Sequence, residues 1–515
     1  MGLKDARDGR VATTIPFRYD DGMYSGYGFR ESEIGDVDVV KHNGIYHLFH
    51  LTLPNHDYIA HAISEDGLTW RRVKNALFIG EPEEWDDDML WTMHITKDPY
   101  RKDAWRMFYT GLCINERGRI QRVGLARSTD LYNWEKDGSG RYPLQLPGNH
   151  YESSIEEGRH WVSFRDPFCF QDNGNIYLIA AARVNHGPVI RRGCVSLARE
   201  LQENIFEFEK PIYHPGRYDD IEVPNLLRID GKYYLIGSIR EDVKVHYWYS
   251  EDFEGPYKNF YDNVLMPQGN YAARICWDED RYLVWNFFYK GLTTGGDHLM
   301  APPKELSVDT KGELRLKTYS GFNDIISNTL TTEALTPFDS LLDNPYGIQK
   351  SIGTSAVIGC DSGFEAFMLK GEYSDFVLSG DVNLLGHGKC GLVFRLNEVG
   401  DGYYLSLDFF KGVAQIRAWK HNPDGAIEEA FHYKQLQQSF FAPKEEPHSF
   451  SLIAYEQYIE LSLHGYVLLT LADPEFEKGR VGFYVESGHI MVVNLQLRSC
   501  MSPASEHYPE SVASY

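Results

Sequence analysis

Apolar and polar residues alternate with a period of two over short stretches through most of the chain, and the alternation restarts after turns rich in Gly, Asn and Asp. This is the signature of half-buried β-strands joined by tight turns; helical periodicity is rare. One unit recurs five times in the first part of the chain: a turn, an aromatic-rich strand, a polar stretch and a second strand. Its copies begin at Asn43-Gly44-Ile45-Tyr46-His47-Leu48-Phe49, Asp103-Ala104-Trp105-Arg106-Met107-Phe108-Tyr109, Asn175-Ile176-Tyr177-Leu178-Ile179, Asp230-Gly231-Lys232-Tyr233-Tyr234-Leu235-Ile236 and Asp280-Arg281-Tyr282-Leu283-Val284-Trp285. The spacing is irregular, about 50 to 70 residues, which suits four-stranded propeller blades with loop insertions better than a tight solenoid. A second marker, Ser-x-Asp-x-x-x-Trp, occurs at Ser64–Trp70 and Ser128–Trp134, with a partial copy at Ser250-Glu251-Asp252-Phe253. Its Ser and Asp suit a hydrogen-bonded turn and its Trp covers the blade beneath, so the marker is read as structural.

The predicted fold is therefore all-β: a five-bladed β-propeller over residues 1–325, a linker over 326–345 rich in Asn, Thr, Ser, Asp and Pro, and a C-terminal β-sandwich over 346–500. Alternating stretches such as Phe376–Val382, Gly402–Asp408, Val413–Trp419 and His489–Leu495 support the sandwich. Residues 501–515 are polar and expected to form a flexible tail. Of the sandwich aromatics Tyr403, Phe409, Phe410 and Trp419, packing in the core or the seam is the favoured role over a carbohydrate-binding face.

Composition narrows the function. The 515 residues include 74 acids against 51 basic residues, a net charge of -23. Such a charge repels phosphate backbones and anionic lipid, so neither nucleic acid nor a membrane surface is an expected partner. The seven cysteines are odd in number and show no CxxC spacing, so they are expected to be reduced and buried. Met1–Arg10 is polar and no apolar run reaches membrane-spanning length, which predicts a cytoplasmic protein unless a signal has been removed. No His, Cys and Asp cluster has ligand spacing, so no metal and no cofactor is expected.

Candidate chemistry comes from counting back from the turns. In a propeller the innermost strand of each blade lines the central channel, and that strand should precede each aromatic strand. Asp36 lies eight residues before Gly44, Asp166 eight before Gly174, and Glu222 nine before Gly231. Three of five blades thus place a carboxylate at nearly the same depth. Asp36 sits in an apolar strand, where an acid is costly unless paired or solvated. Asp38 faces the same way by strand alternation and is the second candidate nucleophile. Arg165 stands beside Asp166 within an aromatic stretch, and Trp91, Phe164, Tyr271 and Trp285 lie near the expected funnel as surfaces on which a sugar ring could stack. Carboxylates around one channel suit glycoside hydrolysis: one acid protonates the leaving oxygen, and another attacks carbon or activates water. A third acid with an arginine grips sugar hydroxyls.

These residues resemble glycoside hydrolase family 32, the β-fructofuranosidase, inulinase and levanase group. The likeness lies in Asp36 ahead of Asn43–His50, Phe164-Arg165-Asp166-Pro167, and Glu222-Val223-Pro224-Asn225-Leu226. Phe108-Tyr109-Thr110-Gly111, Gln121–Ala126 and Pro303-Lys304-Glu305-Leu306 extend it. The resemblance implies a five-bladed propeller and a retaining mechanism acting on fructosides such as sucrose or fructan chains. It makes Asp36 the nucleophile, Glu222 the acid/base, and Arg165 with Asp166 the grip on fructose hydroxyls; retention would set Asp36 and Glu222 roughly 5–5.5 Å apart. The chain departs from the family pattern in three places. Gly35-Asp36-Val37 replaces the usual Trp-Met-Asn-Asp-Pro-Asn-Gly, Val223 replaces a cysteine, and Leu90-Trp91-Thr92-Met93 replaces Phe-Ser-Gly-Ser. Asp36-Val37-Asp38-Val39-Val40 fits the related family 43 equally well, which would make the protein an inverting pentosidase. The remaining alternatives are a sialidase, from the Asp-box likeness of Ser64–Trp70, and a non-catalytic sugar-binding propeller.

Overall fold

The computed structural model describes residues 23–26, 33–289, 298–327, 338–352, 355–421, 431–443 and 447–500. Residues 33–318 form five antiparallel sheets of four or five strands, each paired mainly in chain order. Their first strands are Glu33–His42, Met89–Lys97, Phe164–Asp172, Glu222–Ile229 and Asn270–Asp278, here called the innermost strands of blades I to V. Each innermost strand lies against those of the two neighbouring blades, so the five close a ring. This is a five-bladed β-propeller, and the five turn-and-strand repeats of the sequence are the first hairpins of its blades.

Packing between blades follows from strand alternation. One face of each sheet meets the next blade, and the seams fill with aromatic and aliphatic side chains. The Ser-x-Asp turns close as expected: Asp66 accepts from the amides of Leu68 and Thr69, and Asp130 from those of Tyr132 and Asn133. Trp134 meets Phe49 edge to face and Trp70 meets Trp285, so each Trp seals a seam to a neighbouring blade. Polar ties are buried in the seams as well. Arg106 of blade II donates twice to Glu200 of blade III, at 2.9 Å to each oxygen, with both side chains fully buried. Tyr46 of blade I donates to Asp278 of blade V at 2.7 Å and helps close the ring.

The C-terminal strands form two layers joined by a continuous ladder. The last strand, Arg480–Ser499, pairs through its first half with Lys389–Leu396 and through its second half with Phe376–Leu384, while Ser355–Met368 follows it on the other side. A core of residues such as Phe376, Leu378, Leu452, Leu392, Phe394, Leu405 and Ile416 separates the layers, which makes this unit the expected β-sandwich. Its other face packs on blade V through Val377, Ile453, Tyr455 and Tyr458 against Phe288 and Phe322. Tyr403 and Phe409 belong to the core, Trp419 is half-buried and Phe410 is exposed. Within the expected linker, residues 328–337 lie outside the described residues, whereas Asp339–Ser340 pairs with Ser355–Met368 as a short strand. The expected tail, 501–515, also lies outside them. All seven cysteines are buried and none forms a disulfide. Among the described residues no helix is long and apolar enough to cross a membrane.

Candidate active site

Every innermost strand holds one extra residue at the same depth. The ladder pairs Ile34–Thr52, Trp91–Thr110, Arg165–Ala181, Glu222–Ser238 and Tyr271–Phe287 precede the irregularity, and Val37, Met93, Phe168, Asn225 and Arg274 resume the pairing. Such bulges bend a strand and re-aim its side chains. Pro167 and Pro224 fall inside two of them, where no ladder amide is required. Asp166, Val223 and Ala272 take left-handed φ values of 60°, 48° and 52°. Neighbouring blades hold those strained positions. Thr110 accepts from the Asp166 amide at 3.1 Å, Asp166 from the Val223 amide at 3.0 Å, and Ser238 from the Ala272 amide at 3.0 Å.

The bulges bring three predicted carboxylates together. Asp36 lies within the bulge of blade I, remains partly exposed, and accepts a short hydrogen bond from the Thr92 hydroxyl of blade II. Asp166 lies within the bulge of blade III, and Glu222 stands one ladder position before that of blade IV. That offset is the difference between eight and nine residues in the sequence count. Arg165, Trp91 and Tyr271 occupy the same ladder position as Glu222 in their own blades.

The three carboxylates lie close enough for their charges to act on one another. The Asp36 carboxyl is pushed up to about 7, first by burial and then by the charge of Asp166, with Glu222 adding to the effect and Thr92 and Arg274 opposing it. Asp166 is also raised, by burial and by Glu222, against the pull of Arg165. Glu222 is held by three donors: Arg165 Nη2 at 2.6 Å, Arg240 Nη2 at 2.7 Å, and the Tyr271 hydroxyl through a short bond. Arg165 also reaches Asp220 at 3.1 Å and Gln121 at 3.4 Å. Burial would raise Asp220, but Arg165 and Arg159 outweigh it and hold this carboxyl below its usual range. Beneath the acids, fully buried Arg274 of blade V donates to the carbonyls of Pro224, Pro167 and Met93, in blades IV, III and II, at 2.9, 2.9 and 3.3 Å. It also faces the charge of Asp38 in blade I, so all five blades meet at one guanidinium.

Three predicted positions are corrected. Asp38 is 1% exposed and does not face the channel. Its carboxylate accepts from the amides of Val39 and Ile95 and pairs with His94 of blade II. Asp36 sits in a bulge, which breaks the period of two before Asp38 is reached and turns Asp38 away from the channel. Phe164 is 1% exposed and packs in the seam against Phe208 and Phe108, because alternation sends Arg165 inward and its neighbour sideways. Trp285 is fully buried between Tyr46 and Trp70. Trp91 keeps partial exposure beside His56, and its buried indole nitrogen has no partner among the described residues. Thr92, Asp220 and Arg274, which act across blades, and Arg240, which reaches Glu222 within blade IV, fall outside the register of the turns. Among the described residues no group of three His, Cys, Asp or Glu side chains is arranged to hold a metal.

Comparison with known proteins agrees with this fold. The profile of the glycosyl hydrolases family 32 N-terminal domain matches residues 37–314, more than half of the chain. Similar folds occur in an exo-inulinase from Aspergillus awamori (TM-score 0.67, 15% identity, 94% of this chain and 100% of that one). They occur also in fructan 1-exohydrolase IIa from Cichorium intybus (TM-score 0.65, 14% identity, 94% and 98%). A third is sucrose-6-phosphate hydrolase from Lactobacillus gasseri (TM-score 0.64, 15% identity, 96% and 97%). At these identities the structural likeness speaks for the propeller and sandwich alone, and the family assignment rests on the profile, whose span begins one residue after Asp36. The chain belongs to glycoside hydrolase family 32 and is a glycosidase.

Proposed function

We propose that the protein hydrolyses β-fructofuranosides, sucrose or fructan chains, with retention of configuration. The observation that carries this reading is the convergence of Asp36, Asp166 and Glu222 at the bulges of three innermost strands, with Asp36 raised to about 7 first by burial and then by the charges of Asp166 and Glu222. The similar folds named as exo-inulinase, fructan exohydrolase and sucrose-6-phosphate hydrolase support a fructosyl substrate.

In this mechanism the Asp36 carboxylate attacks the anomeric carbon of the fructosyl unit. The glycosidic C–O bond breaks, and the leaving oxygen takes a proton from Glu222. Water, or a sugar acceptor in a transfer reaction, then attacks the fructosyl-enzyme ester while Glu222 recovers the proton. Asp166 and Arg165 hold fructose hydroxyls, and their bonds tighten as charge develops. Tyr271 and Arg165 fix the Glu222 carboxyl, and Trp91 offers an aromatic wall on the Asp36 side. The test is a panel of sucrose, inulin, levan and pentosides with products followed by NMR. Release of fructose with the β-anomer formed first supports the reading. An inverted product, or turnover of pentosides alone, overturns it.

A further inference from the structure

The innermost strands begin at the face of the propeller that carries the acids, and two side chains stand on the rim of that face on the Glu222 side. Arg240 directly follows the second strand of blade IV, Lys232–Ile239, whose end pairs beside Glu222. Its Nη2 lies 2.7 Å from Glu222 Oε1, yet its side chain is 76% exposed. Arg165 donates to the same oxygen from a buried position, so the Arg240 contact is duplicated and can be exchanged without leaving Glu222 bare. Trp161 stands three residues before the innermost strand of blade III and is 39% exposed. Its ring lies over the Arg159 guanidinium at 4.1 Å. Arg159 is fixed in turn by Ser163 at 2.6 Å, by Asp220 at 2.9 Å and by Asp219, and Asp220 holds Arg165. An indole backed by an anchored cation, with part of its surface toward solvent, is a rigid platform for a sugar face.

We propose that Arg240 and Trp161 form the leaving-group side of the site, with Arg240 reading hydroxyls of the first departing sugar and Trp161 stacking on the next. The inference rests on Glu222 being the acid, because the group beside the proton donor is the one that departs. The guanidinium fork suits paired hydroxyls. The favoured substrate is a neutral oligosaccharide whose leaving group has two or more sugar units, rather than a disaccharide.

The test compares kcat/KM on sucrose, 1-kestose and nystose. Trp161→Ala should lower the nystose-to-sucrose ratio by about tenfold, through KM. Trp161→Phe, which keeps a ring, should restore most of the ratio. Arg240→Ala should lower kcat/KM on all three sugars, with partial rescue in Arg240→Lys. An unchanged ratio in Trp161→Ala, or a fall carried by kcat alone, overturns the subsite. Calorimetry of nystose with Glu222→Gln protein separates the two readings, because binding needs no turnover. If Trp161→Ala weakens nystose binding in that background while wild-type protein turns over no fructoside, the subsite stands and the hydrolase reading falls.

Discussion

The backbone amide of Val223 donates to Oδ2 of Asp166 at 3.0 Å, so the bulge that aims Glu222 hangs on the acid of the preceding blade. In the proposed mechanism Asp166 thus has two duties: it holds fructose hydroxyls, and it supports the strained residue next to Glu222. Asp166→Asn keeps an acceptor for Val223, whereas Asp166→Ala removes it. Both variants should lose at least about 100-fold in kcat/KM, because the interaction strengthens in the transition state. Only the alanine variant should also lose stability, by about 1–3 kcal/mol for the orphaned amide. Thermal melts beside kinetics check this; equal melting of the two variants would show that the Val223 contact does not matter.

Asp36 must be ionised to attack, and its carboxyl is pushed up to about 7 by burial and by Asp166. The acid limb of kcat/KM should therefore rise with pH through about 7, well above the range of an ordinary carboxylate. Thr92 donates to the charged form, so Thr92→Val should move that limb further up. A limb unmoved by this substitution would assign it to another group.

The same shift affects stability. Folded Asp36 keeps its proton from the usual 3.8 up to about 7, whereas the unfolded chain has already released it. The folded state binds more protons in that window, so this residue's contribution falls as pH rises through it. Asp36→Asn should melt higher than wild type above pH 7, by about a few degrees, and equally below the usual carboxylate range. Differential scanning calorimetry at both pH extremes measures this. A variant that melts lower than wild type above pH 7 would contradict it.

Alanine substitutions at Glu222 and Asp36 should impair turnover for different reasons. Glu222→Ala removes the proton donor and should cost roughly 10²–10⁴-fold on sucrose. It should cost less on a fructoside with a good leaving group, which needs no proton. Asp36→Ala removes the attacking atom and should not recover on that substrate. Matching behaviour of the two variants across leaving groups would overturn the division of roles.

Far from the site, Arg106 and Glu200 form a fully buried pair between blades II and III. Arg106→Ala leaves Glu200 buried without its cation and should cost about 3–5 kcal/mol. Denaturant melts would read the loss, and a change under about 1 kcal/mol would mean that water replaces the guanidinium.

Much of the site was legible because a propeller repeats. Turn chemistry and period-two strands mark each blade's first hairpin, and a step of eight or nine residues back from the turn reaches the channel in three of the five blades. The count found Asp36, Asp166 and Glu222, and even their eight-versus-nine offset has a structural counterpart in the bulge. A bulge is invisible to alternation, and its inserted residue turns Asp38 away from the channel, whereas Phe164 lies before its bulge and follows ordinary alternation beside the inward Arg165. Thr92, Asp220 and Arg240 carry no local signal, since their importance lies in contacts made across blades or hairpins.

By itself, then, the sequence determined the blade repeat, the sandwich that follows and the three acids in register, because each is written in local periodicity and turn residues. Only the tertiary structure decided which side chains share the channel and what charge they carry. Arg274 shows why. It is one arginine in an ordinary strand until five blades close around it, and then it donates to the backbone of three of them beneath the acids. Ring closure removes water from these groups and brings their charges within reach of one another, and neither effect exists in an isolated strand.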